Sequence, residues 1–368
     1  NNINNNSNNN NNRNKTNNGT SNHMTPKTQS QTTMKPKPKP KRQHLFPPKL
    51  TYELMKSNKL FYAGCGLRNL GNSCFMNSVL QCLCYTAPLQ NYFNLNKHSK
   101  RYSSSINFMD ELSELLPKMA ISSSLVIKPQ KLYNNLRSLS RTLNPGRQED
   151  CHEFWSSLMK RCQDEVIRNH FKHVKGNKIR INVDLSETTI IYKIWGGSLK
   201  SQVKCMECFY ESNTYDSTLD LSLELNNKIL SVVDALKEYT NKEKLYGTNK
   251  YFCERCNKKS NATKQLTINE SPNILVLHLK RFEFGTKIDR YIKYQKYIDF
   301  TPYMSYFDKI RHKNSLYKKY QVTYTLFGII VHAGVTSNSG HYYSYIKTND
   351  NRWYEMNDSN VRHVSENH

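Results

Sequence analysis

The stretch Gly66 to Leu83, GLRNLGNSCFMNSVLQCL, decides how the fold is read. Gly71, Asn72 and Ser73 are turn residues, and directly after them Phe75, Met76, Val79, Leu80 and Leu83 recur at the spacing of one helical face. The pattern predicts a helix that begins near Cys74. A thiol at a helix N-terminus feels the positive end of the macrodipole, which favours the nucleophilic thiolate. Taken alone, Cys74 fits a small buried hydrophobe equally well.

Outward from this segment, Phe108, Met109, Leu112, Leu115 and Leu116 predict a second helix, and Phe154, Trp155, Leu158, Met159, Cys162 and Val166 a third. After about Ile179 the texture changes to β-branched and aromatic runs, which predict strands over 190–195, 199–204, 219–225, 274–282, 322–331, 342–346 and 352–356. One helix, near 232–239, interrupts them. Helices followed by strands argue for an α+β arrangement, with any cleft where the two layers meet. There is no internal repeat at a fixed period, which disfavours solenoids and propellers.

Residues 1–44 are mostly Asn, Thr, Gln, Lys and Pro, with no acidic residue. They cannot bury enough apolar surface to offset the chain entropy lost on folding, and they read as disordered. Residues 1–50 are therefore set apart from a domain spanning 51–368. KPKPKPKR, over 35–42, is either a nuclear localisation signal or a linker kept soluble by charge. The net charge is +25; the first fifty residues carry nine Lys or Arg and no acid, leaving 45 Lys or Arg against 29 Asp or Glu, or +16, on the rest. That excess suits an anionic partner, but no nucleic-acid motif accompanies it. No apolar run of membrane-spanning length or signal-peptide pattern is present, so no membrane partner and an intracellular monomer are expected. Ten cysteines in such a chain point to metal or catalysis rather than disulfides.

Cys205-x-x-Cys208 and Cys253-x-x-Cys256 match a tetrahedral zinc site made of two knuckles. Four thiolates leave no open position, so the zinc would be structural, and no catalytic cofactor is expected. A nucleophilic thiol also needs a base, which can lie far away in sequence. His332, in VHAG, and His341, in SGHYYSYIK, both qualify. Asn357 and Asp358, in WYEMNDSNV, could each accept the second N–H of an imidazole or simply form a turn.

Taken together, these segments resemble the catalytic domain of the ubiquitin-specific proteases, papain-like cysteine peptidases that remove ubiquitin. The Cys74 segment resembles the family's cysteine box, and GRQEDCHEFWSSLM its QQDAHEF-type segment. NKYFCERC with ILVLHLKRF resembles the end of its zinc-bearing region, and VHAGVTSNSGHYYSYIK with WYEMNDSNV its histidine box. The resemblance runs in order from about Gly64 to Val364. It implies a thumb over about 64–175, zinc-bearing fingers over about 190–272, and a palm over about 176–189 and 273–366.

The resemblance also selects among the open alternatives. It implies Cys74 as nucleophile, His341 as base, Asn357 as third triad member with Asp358 beside it, and Asn69 as the oxyanion residue, with Asn72 left as a turn residue. The family's commonest third residue is Asp; here Asp358 is expected to substitute partly for Asn357, so that Asn357→Ala loses less activity than Cys74→Ala. Gln148, Asp150, Glu153, His332, Gly340 and Tyr342 are implied to bind the ubiquitin tail, Gly340 by leaving room for a Gly-Gly end. Ubiquitin and ubiquitinated proteins are the implied partners. CYTAPL, after the cysteine box, and the MNDS ending are similar to nuclear and nucleolar members, with the cytoplasm the other location. The competing readings are an inactive ubiquitin-binding scaffold on the same fold and a basic zinc-ribbon nucleic-acid binder.

Overall fold

The helix predicted from Cys74 spans Cys74–Cys84 in the computed structural model, which describes residues 45–56, 62–95, 106–122, 125–171, 183–283, 286–310, 314–336 and 339–366. The expectations of disorder over 1–44 and of a basic signal at 35–42 lie outside the described residues. The cysteine helix is buried all round: Phe75, Met76, Val79, Leu80 and Leu83 are at most 2% exposed. A helix apolar on every side belongs at the centre of a fold. Each of these side chains stabilises it by roughly 1.5–3 kcal/mol through leaving water.

Helices Ala87–Asn94, Phe108–Ile121 and Cys151–Phe171 pack around it. Asn107 caps the second of these by accepting from the Asp110 N–H at 2.9 Å. The Asp150 carboxylate caps the third, accepting from the His152 and Glu153 N–H groups at 2.8 and 2.9 Å. On the remaining side of the cysteine helix lies a four-stranded antiparallel meander: Gly328–Thr336, Ser339–Lys347, Trp353–Asn357 and Asn360–Val364, in that order. Tyr342, Ser344 and Ile346 alternate inward along its second strand, the period-two pattern of a strand with one buried face. The layers of helix and sheet expected from the sequence therefore meet along the cysteine helix.

A second core gathers Leu221, Leu223, Val232, Leu236, Ile268 and Phe300. Strand Leu221–Glu224 pairs in parallel with Leu277–Lys280, and helix Val232–Tyr239 covers them. A second four-stranded sheet runs in the order Glu211–Thr218, Gly197–Cys205, Ala262–Glu270, Lys242–Leu245, and carries the cysteine pairs beyond its end. Among the described residues no helix is long and apolar enough to cross a membrane.

Three strand expectations need correction. Residues Ile190–Trp195 form a helix, capped by Thr189, whose hydroxyl accepts from the Tyr192 N–H at 3.2 Å. Ile190, Ile191, Ile194 and Trp195 are all buried, and their one-and-four spacing is helical despite the β-branched composition. Gly196 ends it, since a Cβ there would overlap the Tyr192 ring. The run 274–282 is strand only at Leu277–Lys280 and at Phe282. The run 322–331 breaks at Leu326, dividing Thr323–Thr325, which pairs with Tyr297–Asp299, from the meander.

Candidate active site

The turn before the cysteine helix is built from residues that tolerate left-handed backbone. Gly71 has φ 103° and Asn72 φ 53°. Asn69 organises this turn: its Oδ1 accepts from the Gly71 and Ser73 N–H groups at 3.0 and 3.2 Å. Asn72 serves as a turn residue and donates to the Gly146 carbonyl at 2.8 Å, tying the turn to the loop before the long helix.

Cys74 is 2% exposed and faces the strand of Tyr342, whose backbone N–H acts on its thiol. The expectation of a lowered pKa is not met. Burial pushes the Cys74 thiol up; the Tyr342 N–H pulls it down, and the Asp358 charge raises it again. The loss of water outweighs the helix terminus. Cys65 and Cys82 are pushed up as well, to about 11 and about 12, so position rather than acidity distinguishes Cys74.

His341 directly precedes the inward-facing Tyr342 and lies on the opposite face of its strand, and its Nε2 lies 2.8 Å from Asn357 Oδ1. An amide oxygen accepts only, so Nε2 carries the proton and Nδ1 presents a lone pair. Asp358 does something else. Its Oδ2 accepts from Asn69 Nδ2 at 2.9 Å, and its Oδ1 accepts from Asn77 Nδ2 at 2.8 Å. Asp358 itself stands in a left-handed turn with φ 48°. Its carbonyl accepts from the Leu67 N–H at 2.7 Å, and Gly66 lies so close that a Cβ would sit 2.2 Å from the Ser359 oxygen. The histidine box and the cysteine box are thus joined backbone to backbone.

Asn77 was not singled out in the sequence. The signal available is an Asn three residues after Cys74 on a helix whose polar residues, Asn77, Ser78 and Gln81, are all buried and must find partners.

The six residues expected along a tail channel fall into three groups. Gln148 Nε2 donates to the Gly340 carbonyl, joining the loop before the long helix to the strand of His341. An open polar groove of about 640 Å³, lined by Asn72, Asn144, Arg147, Gln148 and Ser339, runs beside this contact. Asp150 is occupied as the helix cap described above, and Glu153 accepts from the Thr142 and Ser140 hydroxyls.

His332 bonds nothing among the described residues through either ring nitrogen, and burial lowers its pKa; the ring rests against Phe282 and Tyr342. Gly340 is required by its own neighbours: at φ 156°, a Cβ would lie 2.5 Å from His332 Nε2. The Tyr342 side chain is 4% exposed and belongs to the core, leaving its backbone N–H as the group that reaches Cys74.

The four thiols of Cys205, Cys208, Cys253 and Cys256 lie within 4.8 Å of one another. Cys205 and Cys256 are 3.9 Å apart, and Cys208 and Cys253 3.6 Å. Tetrahedral zinc with Zn–S near 2.3 Å requires about 3.8 Å between sulfurs, so the set fits that ion. Each pair turns through a left-handed residue one position later, Phe209 at 59° and Asn257 at 51°, which folds the chain back as a knuckle. The backbone N–H of Cys208 lowers the pKa of Cys205, while the neighbouring thiols raise that of Cys256.

Residues 65–368 match the family model described as ubiquitin carboxyl-terminal hydrolase. Human ubiquitin carboxyl-terminal hydrolase 42 is 35% identical over 91% of this chain, and Arabidopsis thaliana ubiquitin carboxyl-terminal hydrolase 25 is 39% identical over 80%. This chain spans 24% and 44% of those proteins, respectively. A solved structure of the SAGA Ubp8/Sgf11/Sus1/Sgf73 DUB module bound to ubiquitin aldehyde matches with a TM-score of 0.66 at 28% identity, over 82% of this chain and 66% of that one. The fold is therefore the α+β, papain-like one of these enzymes, and the chain belongs to the ubiquitin carboxyl-terminal hydrolase family.

Proposed function

We propose that this chain is a cysteine-type deubiquitinase that hydrolyses isopeptide or peptide bonds after the C-terminal glycine of ubiquitin. The observation that carries the reading is the bond from His341 Nε2–H to Asn357, on the strand whose next N–H reaches the Cys74 thiol. His341 Nδ1 takes the thiol proton as sulfur attacks the glycine carbonyl. Burial, which pushes the thiol pKa up, favours transfer of its proton together with attack. The tetrahedral oxyanion is held by the Cys74 backbone N–H and by the Asn69 amide, whose other hydrogen is committed to Asp358. Imidazolium then protonates the leaving amine, and water activated by His341 hydrolyses the thioester.

Asp358, held by Asn77, fixes the Asn69 amide, so it acts as a positioning residue for the oxyanion. Cys205, Cys208, Cys253 and Cys256 would hold a structural zinc that fastens the end of their sheet. The same proposal assigns thumb, fingers and palm to the segments given above, and ubiquitin and ubiquitinated proteins as partners. Nuclear or nucleolar residence is proposed from the basic run at 35–42 and is tested by localising a fluorescent fusion with and without it.

The test is incubation of the chain with ubiquitin bearing a C-terminal electrophile. A single covalent adduct, absent in Cys74→Ser, is expected. No adduct with a folded protein would favour the inactive ubiquitin-binding scaffold instead.

A further inference from the structure

Away from the four cysteines, three other side chains converge. His152 stands in the first turn of the Cys151–Phe171 helix, Asp220 immediately precedes the Leu221–Glu224 strand, and His278 lies in the strand paired with it. One nitrogen from each histidine and one Asp220 oxygen lie within 4.8 Å of one another. His152 Nε2 is 2.7 Å from Asp220 Oδ2, and the two imidazoles are stacked with centroids 3.8 Å apart. The Ser222 hydroxyl lies 3.2 Å from Asp220 Oδ2 and 3.1 Å from His278 Nδ1. The His152 and Asp220 side chains are 24% and 19% exposed, so the cluster is half-sheltered and open to entry from solvent.

We propose that His152, Asp220 and His278 form a second divalent-metal site, suited to zinc and completed by water. Two imidazoles and a carboxylate are a donor set that zinc accepts with water in its fourth position. The three donors come from three segments of chain, and the serine hydroxyl supplies the outer hydrogen bond that orients such ligands.

The present geometry is that of a metal-free cluster, and its conversion is specific. Parallel stacked rings cannot both aim in-plane lone pairs at one ion, so one imidazole must tilt. The 2.7 Å hydrogen bond must open by roughly 0.6–0.9 Å as zinc takes the place of its hydrogen at about 2.0–2.2 Å from each donor. Binding would therefore clamp the start of the long helix to the parallel strand pair, with each neutral imidazole keeping its proton on the nitrogen that faces away from the ion. The site does not depend on the deubiquitinase reading, because its ligands lie outside the proposed catalytic set.

The test is equilibrium dialysis of the full chain against buffered Zn²⁺, with bound zinc counted per chain. Two ions are expected for the wild-type protein. One is expected for Asp220→Asn and for His152→Gln, with at least tenfold weaker retention of the second ion. Circular dichroism of the zinc-depleted second site establishes that each variant is folded; where one is not, the other and Ser222→Ala, expected to weaken binding severalfold, carry the measurement. Cobalt substitution should add a visible absorption band in the wild type that Asp220→Asn lacks and that persists when the thiolate site is kept filled with zinc. One ion in the wild type, or two in the folded variants, overturns the proposal.

Discussion

Asp358 bonds Asn69, not His341: Asn69 Nδ2 and Asp358 Oδ2 are 2.9 Å apart, while Asn357 Oδ1 meets the imidazole Nε2 at 2.8 Å. Strand alternation gives the reason. Met356 points into the core with Tyr342 and Ser344, so Asn357 points to the face of His341, and Asp358 turns back towards the cysteine helix. The expectation that Asp358 could substitute for Asn357 is therefore replaced.

Asn357→Ala should remove the group that fixes the His341 tautomer, with no neighbour to take its place. A fall in kcat of about 10²-fold or more is expected, and KM should change little. Steady-state cleavage of a ubiquitin C-terminal fluorogenic amide measures both. A loss under threefold would mean that another group orients the ring.

Asp358→Asn should separate two effects of one carboxylate. Its charge raises the Cys74 pKa, so the neutral variant should titrate lower than the wild type. The pH midpoint of Cys74 alkylation by iodoacetamide should shift downward, making the thiol more reactive at neutral pH. Turnover should nevertheless fall about 10-fold or more, because Asn69 loses an ionised acceptor. A midpoint that stays in place would show that burial alone holds the thiol protonated.

Much of this site was legible before the fold was known, because helical periodicity and turn residues are local signals. Cys74 at a helix start, and the helices over 108–121, 151–171 and 232–239, follow from spacing alone. Ile190–Trp195 reads as strand from its β-branched and aromatic residues because six residues show too little of a helical period, and the cap at Thr189 is the signal that marks the helix. The low exposure that pushes the Cys74 thiol pKa up is not legible either. It depends on a strand more than 260 residues away, and no local pattern reports desolvation. The partner of Asp358 became evident only with the register of the meander.

The four-cysteine cluster predicts that a mercurial reagent releases one zinc from the thiolate site, measured with a metallochromic indicator. Cys253→Ser should lose that ion and lower stability by more than about 3 kcal/mol, since a buried ligand and the sheet end it fastens are lost together. Denaturant titration reads the effect. Unchanged stability would mean the knuckles fold without metal.

Gly66→Ala tests whether the join between the two boxes matters for chemistry as well as for folding. The added methyl would lie 2.2 Å from the Ser359 oxygen and 2.5 Å from its carbonyl carbon, both backbone atoms that cannot rotate away. The Asp358–Ser359 turn must therefore move, and Asp358 with it. Overpacking of this kind costs about 1–3 kcal/mol, which thermal unfolding should show. Displacement of Asp358 also frees Asn69, so kcat should fall about 10-fold at a temperature where the variant is fully folded. Gly146→Ala is the control for substituting a glycine in a neighbouring loop. It has a positive φ of 84° but open space around it, so strain there should lower stability without a matching loss of turnover. If Gly66→Ala loses stability and keeps its kcat, the turn can shift without disturbing Asn69, and the role of Asp358 as a positioning residue fails.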